Sequence, residues 1–146
     1  MAYWLVKSEP GEFSWDQQVK AGKKGAPWTG VRAHPPKLHL LNMAKGDRAF
    51  FYHTGDEKQI VGIVEIAKTA YPDPTAEKDS PWVAVDTVAV EPLKTPVTLS
   101  QIKADKALAN MALVRIGRLS VQPVTAAEWK HICKLGGVNE CARRAQ

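Results

Sequence analysis

The stretch Tyr3-Trp4-Leu5-Val6-Lys7-Ser8-Glu9-Pro10 decides how the chain begins to fold. Its first four residues are aromatic or aliphatic, which favours a buried β-strand. The following Ser8-Glu9-Pro10-Gly11 is typical of a loop, so that Lys7 and Ser8 stand at the C-terminal end of the strand. The sequence therefore predicts a core strand that ends in two polar side chains.

Further runs of the sequence are typical of strands. Residues 49–53 are rich in aromatic side chains, residues 60–66 are mostly aliphatic, and Thr54-Gly55-Asp56-Glu57 between them favours a hairpin turn. Residues 82–90, 112–116 and 119–124 also predict strands. The proline-rich and acidic residues 71–81, and residues 23–30, predict loops.

Three residue pairs have the spacing of a capping box and predict helix starts. The pairs are Ser14 with Gln17, Thr98 with Gln101, and Thr125 with Glu128. A further helix is expected at about residues 36–43, with Leu38, Leu41 and Leu40 on its inner side. Four short helices with about five or six strands, in no regular alternation, predict an α+β fold around a mixed, barrel-like sheet.

Composition limits the architecture and the compartment. The 146 residues fit one domain, placed at residues 1–137, and residues 138–146 after Gly136-Gly137 are expected to form a flexible tail. A hydrophobic share of 45% and a charged share of 24% are ordinary for a globular protein, and no apolar run is long enough to span a membrane. Cys133 and Cys141 fit neither a disulfide framework nor a zinc motif, so we expect a reducing compartment, cytoplasmic or, in a eukaryote, nuclear.

Charge permits a nucleic-acid partner. The formal net charge is +5, the two ends of the chain are basic, and the middle is acidic. Lys23-Lys24, Arg32, Arg115 and Arg118 are candidates for phosphate contacts, although solvated surface is the usual fate of such side chains. Histidine spacing predicts no metal site, and no nucleophile-elbow or phosphate-loop motif predicts catalysis or a cofactor.

One ring and two strand ends suggest a pocket. Trp28 lies in a glycine and proline loop, where it either plugs the edge of the core or lines a cavity that can stack a base. Lys7-Ser8 and His53-Thr54 each follow an apolar strand. If both ends meet Trp28 at one rim, the pocket can read a flipped base by its edge. The alternative is that all of these side chains are solvated or structural.

Blocks spread over residues 3 to about 135 also carry a family resemblance. They are Tyr3-Trp4-Leu5-Val6-Lys7-Ser8-Glu9-Pro10, Trp28-Thr29-Gly30-Val31-Arg32, Gly46-Asp47, Phe50-Phe51-Tyr52-His53, Val61-Gly62-Ile63-Val64 and Arg118-Leu119-Ser120-Val121-Gln122-Pro123-Val124. In these blocks the sequence resembles the EVE domain family of the PUA-like superfamily. The resemblance implies a PUA-like β-barrel with flanking helices that reads modified bases, chiefly modified cytosine in DNA. YTH domains, which read methylated adenine in RNA, are similar in fold and in the placing of these residues.

The resemblance also implies roles for particular residues. Lys7 and Ser8 meet the base edge, Trp28 stacks on the base, Tyr52 and His53 close the pocket, and Ser120 lies at the same rim. Further nucleic-acid contacts are expected from Glu9, Val31, Arg32 and Arg118. Ala33-His34-Pro35-Pro36-Lys37-Leu38 departs from the family, which continues with Asn and a polar stretch containing another Arg. We therefore expect one basic contact to be missing there.

These observations favour a non-catalytic, monomeric module that captures a modified base, with 5-substituted cytosine in DNA preferred over RNA and with no membrane partner. Two alternatives remain open at the level of sequence. One is an enzyme like the related ASCH domains, with Lys7 and Glu9 as acid and base. The other is an RNA-binding accessory domain, which would prefer 2′-hydroxyls.

Overall fold

The strands form one sheet of six. The computed structural model describes residues 1–138. Its strands are β1 (Tyr3–Ser8), β2 (Ala26–Trp28), β3 (Arg48–His53), β4 (Gln59–Pro72), β5 (Val83–Thr98) and β6 (Val121–Val124). The hairpin of β3 and β4 confirms the prediction from the aromatic and aliphatic runs. Both β4 and β5 are longer than predicted, and β4 extends into the expected loop.

Residues 1–138 form five α-helices, and three of these begin at a side chain that accepts a backbone N–H group of the first turn. The five helices are α1 (Trp15–Lys20), α2 (His34–Asn42), α3 (Leu99–Ala104), α4 (Ala112–Arg115) and α5 (Ala126–Leu135), with 3₁₀ turns at Gly22–Lys24 and Lys106–Leu108. All three predicted capping boxes are present, at Ser14, Thr98 and Thr125. Each box satisfies two backbone N–H groups at its helix start. Both partners are only three residues apart, so the spacing alone was enough to predict the box.

The sheet is mixed and open. Its strand order is β2-β5-β4-β3-β1-β6, with β1 and β3 parallel and the other neighbours antiparallel. Within residues 1–138 the edge strands β2 and β6 do not pair, so the α+β prediction is confirmed but the sheet is not a closed barrel. Within residues 1–138 the first strand, β1, pairs with the last strand, β6.

The sheet nevertheless curls. Strands β4 and β5 shift register at several points along their pairing, as strands do where they bend. Trp28 in β2 and Phe51 in β3 stand three strand spacings apart along the sheet, which is about 14 Å if flat. Their ring centroids are only 5.4 Å apart. The curl therefore brings the β2 edge back over the middle of the sheet.

Alternating side chains of β1 enter two separate cores. Leu5 packs with Phe50 and Trp129 on one face, while Trp4 and Val6 pack with the other cluster on the opposite face. Trp129 of α5 stacks against Phe50, with centroids 4.0 Å apart. On the second face the Trp15 ring lies over Gly62, where an added Cβ would come within 2.5 Å of it.

Several local predictions are wrong. Residues 112–116 form helix α4 and its C-cap instead of a strand. Helix α2 buries Pro36 and Leu40, whereas Leu38 and Leu41 are 55% and 49% exposed. The 23–30 segment contains strand β2, which pairs with the distant β5.

Two further points concern the ends of the chain and its surroundings. The predicted tail at residues 138–146 lies, from residue 139 onward, outside the described residues. Across the part of the chain that the structure describes, none of the helices has the length and apolarity to cross a membrane.

Candidate functional site

Parallel pairing places the ends of β1 and β3 at the same rim of the sheet. Lys7 stands opposite Tyr52, and Ser8 opposite His53. A cleft of about 680 Å³ opens beside the end of β1. Its lining residues are Lys7, Ser8, Glu9, Glu12, Phe13, Pro27, Trp28, Thr29, Gly30, Val31, Arg32, Ala33, Pro36 and Ser120. The rim predicted from two strand ends and one tryptophan thus exists on the β1 side.

Lys7 joins β1 to one wall of the cleft. Its backbone N–H donates to the Ser120 carbonyl at 2.9 Å, and its Nζ donates to the Gly117 carbonyl at 3.1 Å. Partial burial lowers the pKa of the Lys7 amine, because a charged ammonium loses hydration there. An ammonium carries three protons, so two remain for a ligand in the cleft.

Ser8 is oriented by the turn that follows it. Its Oγ donates to the Phe13 carbonyl at 2.5 Å, and its own carbonyl accepts from the Thr54 N–H at 2.9 Å. Since the hydroxyl proton is already used, the Ser8 oxygen is available to a ligand as an acceptor.

Trp28 lines the cleft and is held in place by two other aromatic rings. Only 7% of its surface is exposed. The plane of the Trp28 ring lies at 86° to the Phe13 ring and at 88° to the Phe51 ring. The ring centroids are 6.1 Å and 5.4 Å from that of Trp28. Both sequence interpretations hold, because the ring plugs the core edge and also lines the cavity. A ring fixed in this way loses little side-chain entropy when a flat ligand packs on it.

The opposite wall is anchored by a buried carboxylate that sequence reasoning missed. Asp73 Oδ2 accepts from the Gly30 N–H and from Arg32 Nη1, both at 2.9 Å. Its Oδ1 accepts from the backbone N–H and the hydroxyl of Thr75, both at 2.7 Å. We call residues 30–32 with this carboxylate the anchored wall.

The charge of Asp73 is stabilised by its donors. Burial opposes ionisation, but hydrogen bonds from Thr75, Gly30 and Arg32 outweigh it and lower the pKa of Asp73 to about 2. The local signal for this residue was Asp73-Pro74-Thr75, which fits a turn in which an aspartate accepts from the N–H two residues later. That pattern predicts the turn and not its distant partners.

Arg32 is largely committed to this wall. Besides Asp73, its Nη1 donates to the Val31 carbonyl at 3.1 Å and its Nη2 donates to Thr75 Oγ1 at 3.1 Å. The side chain is still 39% exposed, and it lines the cleft. Arg32 therefore shapes the wall and keeps part of its guanidinium open to an anionic group.

Tyr52, His53 and Arg118 are not among the lining residues. Tyr52 belongs to the core on the Trp129 side, although its ring lies 5.8 Å from Lys7 Nζ. His53 Nε2 accepts from the Trp15 N–H at 3.0 Å, and its Nδ1 lies 2.8 Å from Glu57 Oε1, so it fixes the start of α1. Arg118 is on the exposed surface. Their contact with a base stays a prediction.

The predicted contacts Glu9 and Val31 do line the cleft, and so do residues that sequence reasoning missed, among them Glu12 and Phe13. The lining combines the aromatic and aliphatic surface of Phe13, Trp28 and Val31 with charged groups of both signs. Such a recess suits a flat, heteroaromatic ligand with donors and acceptors on its edge. Among residues 1–138, no cluster of His, Cys, Asp and Glu side chains has the makings of a metal site.

Fold and cleft together define a small α+β domain with an open, mixed sheet and a cleft at the end of β1. The EVE domain family matches residues 2–135, and the chain belongs to that family. Human thymocyte nuclear protein 1 is 33% identical over 165 residues, which cover 92% of this chain and 73% of the human protein.

Two solved structures extend the comparison. Rpa0253 from Rhodopseudomonas palustris is 60% identical, with a TM-score of 0.88 over 94% of each chain. The human THYN1 protein, in a crystal structure in complex with 5-methylcytosine containing DNA, is 30% identical, with a TM-score of 0.86 over 95% of this chain and 99% of that chain. The resemblance inferred from the sequence blocks is confirmed.

Proposed function

We propose that this chain is a non-catalytic nucleic-acid-binding module that captures a modified base, a 5-substituted cytosine in DNA, in the cleft beside β1. The observation that carries the proposal is the meeting of Lys7, Ser8, Trp28 and Ser120 around one recess of about 680 Å³. Membership in a family whose human relative has been crystallised with 5-methylcytosine containing DNA supports the choice of ligand.

The chemistry of the lining matches a cytosine edge. Cytosine has acceptors at O2 and N3 and a donor at N4. The free protons of Lys7 can serve the acceptors, and the oxygens of Ser8 or Glu9 can accept from the N4 amino group. A methyl group at C5 gains from contact with the apolar surface of Phe13, Trp28 and Val31.

Binding has two energetic parts. The net charge of +5 favours phosphate contacts, which weaken as salt rises and carry no base information. The captured base must leave its stack, which a duplex resists and a single strand resists less. Stacking on Trp28 and edge contacts to Lys7 and Ser8 offset that cost, so selectivity for the modified base is expected to persist at high salt.

The test is fluorescence anisotropy with labelled DNA and RNA oligonucleotides, unmodified or carrying 5-methylcytosine, 5-hydroxymethylcytosine or N6-methyladenine, at two salt concentrations. We expect at least a tenfold preference for a 5-substituted cytosine in DNA that survives the higher salt. Trp28→Ala should weaken that binding by roughly tenfold to a hundredfold, since stacking of one base contributes about 1–3 kcal/mol. Trp82→Ala is the matched control, because Trp82 packs near His34 and does not line the cleft.

Other outcomes select other functions. Equal, salt-sensitive binding of every oligonucleotide would contradict the capture of a modified base and would indicate only a basic surface that binds phosphates. Preference for RNA over the matching DNA selects the accessory domain. Turnover of an oligonucleotide or modified nucleoside that Lys7→Ala abolishes selects the enzyme with Lys7 and Glu9 as acid and base. The monomeric state and the cytoplasmic or nuclear location stay predictions.

A further inference from the structure

An exposed isoleucine lies between two arginines at the edge of the cleft. Residues 115–118, which we call the tip, read Arg115-Ile116-Gly117-Arg118, and all four are exposed. Ile116 leaves 44% of its surface in solvent. The other large apolar side chains exposed within residues 1–138 are Met1, Val19, Leu38, Leu41 and Leu135. Of this set only Ile116 is bracketed by arginines, which marks the tip as a distinct surface.

The tip is joined to the cleft by direct contacts. The Gly117 carbonyl accepts from Lys7 Nζ at 3.1 Å, and Lys7 lines the cleft. Ser120, two residues beyond the tip, lines the cleft as well and accepts from the Lys7 backbone N–H at 2.9 Å. Ile116 is therefore one residue away from a group that touches the proposed base-binding lysine.

The arginines give the tip the charge that a duplex attracts. Arg115 Nε donates to the Asn110 carbonyl at 2.8 Å, which fixes the side chain while its terminal amino groups remain for a phosphate. Arg118 is exposed beyond Gly117. Apolar side chains flanked by basic ones are suited to enter between base pairs, because the arginines hold the backbone while the apolar group fills the stack.

We infer that Ile116 is a wedge that enters the base stack of a DNA duplex beside the base held in the cleft, with Arg115 and Arg118 on the adjoining phosphates. The inference rests on the proposed function, since a captured base leaves a gap that an apolar side chain can fill. A base in a single strand leaves no such gap. The wedge therefore predicts a contribution to duplex binding alone.

The experiment compares one modified cytosine in a duplex and in the matching single strand, using the full chain and its variants in the anisotropy assay. Ile116→Ala should weaken duplex binding by roughly tenfold, because the part of the side chain that is exposed in the free protein no longer enters the stack, and leave single-strand binding unchanged. Ile116→Leu should retain duplex affinity. Leu135→Ala is the matched control, since Leu135 ends α5 next to Gly136, whose carbonyl accepts from Thr95 N–H of β5, away from β1.

The outcomes separate this inference from the proposed function. The wedge is overturned if wild type and Ile116→Ala have equal affinity for the duplex, or if the variant loses affinity equally for both substrates. Neither result contradicts the proposed function. A wild-type chain that captures the modified base only in single strands also overturns the wedge. A wild-type chain that shows no preference for the modified base on either substrate overturns the proposed function, and the wedge with it.

Discussion

The anchored wall of the cleft and the tip beside the cleft are held in opposite ways. The anchored wall, residues 30–32, is fixed by a buried carboxylate that accepts four hydrogen bonds from Gly30, Arg32 and Thr75. The tip, residues 115–118, is joined to the β1 side through the single side-chain bond from Lys7 to the Gly117 carbonyl. A cleft with one fixed wall and a lightly held segment beside it has a defined shape for a base and a neighbouring surface that can adjust to a backbone. Each prediction below tests that difference.

Removal of the carboxylate should have the largest effect. Asp73→Ala is expected to lower the free energy of unfolding by about 2–4 kcal/mol, because it leaves the Gly30 N–H and the Arg32 guanidinium without their acceptor. Denaturant titration measures the change. Glu77→Ala, an exposed acid in the same loop, is the control and should stay within about 0.5 kcal/mol of wild type. A loss as small in Asp73→Ala would show that the wall is not anchored by this residue.

Acid should release the same wall. The pKa of Asp73 is lowered from 3.8 to about 2 in the folded chain, so its ionised form stabilises the fold above about pH 4. That contribution is lost as the pH falls through the folded pKa. We expect the gap in unfolding free energy between wild type and Asp73→Asn to shrink between roughly pH 5 and pH 2. A gap independent of pH would contradict the role of the charge.

Two glycines allow a matched comparison of the anchored wall and the tip. An added Cβ meets nothing within 4 Å at Gly30 or at Gly117, but only Gly30 has a positive φ, of +86°. Gly30→Ala should therefore cost about 1 kcal/mol of unfolding free energy through backbone strain, and Gly117→Ala less than about 0.5 kcal/mol. Thermal or denaturant unfolding of the two variants measures both losses. Equal losses of unfolding free energy would contradict a strained backbone at Gly30 alone.

Only a small effect on stability is expected at Lys7. Lys7→Met keeps the apolar stem but removes the ammonium, so it loses the bond to Gly117 and also the cost of holding a half-buried charge. These changes oppose each other, and the free energy of unfolding should shift by less than about 1 kcal/mol. A shift as large as that of Asp73→Ala, in the same titration, would mean that the tip is held as firmly as the anchored wall.

Local chemistry was readable from the sequence because it acts over a few residues. The apolar run of β1, the β3–β4 hairpin and the three capping boxes all involve neighbours in the chain, and the structure confirms them. Residues 112–116 were misassigned because a run this short fits a strand and a helix equally well by its apolar content.

The placement of the site depended on contacts between residues that are far apart in the sequence. Lys7, Ser8, Trp28 and Ser120 were predicted to share a rim and they do, through parallel β1–β3 pairing and the curl of the sheet. His53 does stand beside Ser8 at that rim, but its ring fixes the start of α1, which its sequence position next to a strand end cannot reveal. Asp73 was hidden in an acidic, proline-rich loop, since its partners Gly30 and Arg32 lie more than forty residues earlier.

By itself the sequence determined the β1 strand with its polar end, the β3–β4 hairpin, the three capped helices and the basic charge, because propensity, capping and composition are properties of adjacent residues. Only the tertiary structure decided that the sheet stays open, that Trp28 packs on Phe51, and that Asp73 holds one wall of the cleft. Those contacts join residues far apart in the chain. They exist because strand pairing and sheet curvature bring the residues together, and no local pattern encodes that distance.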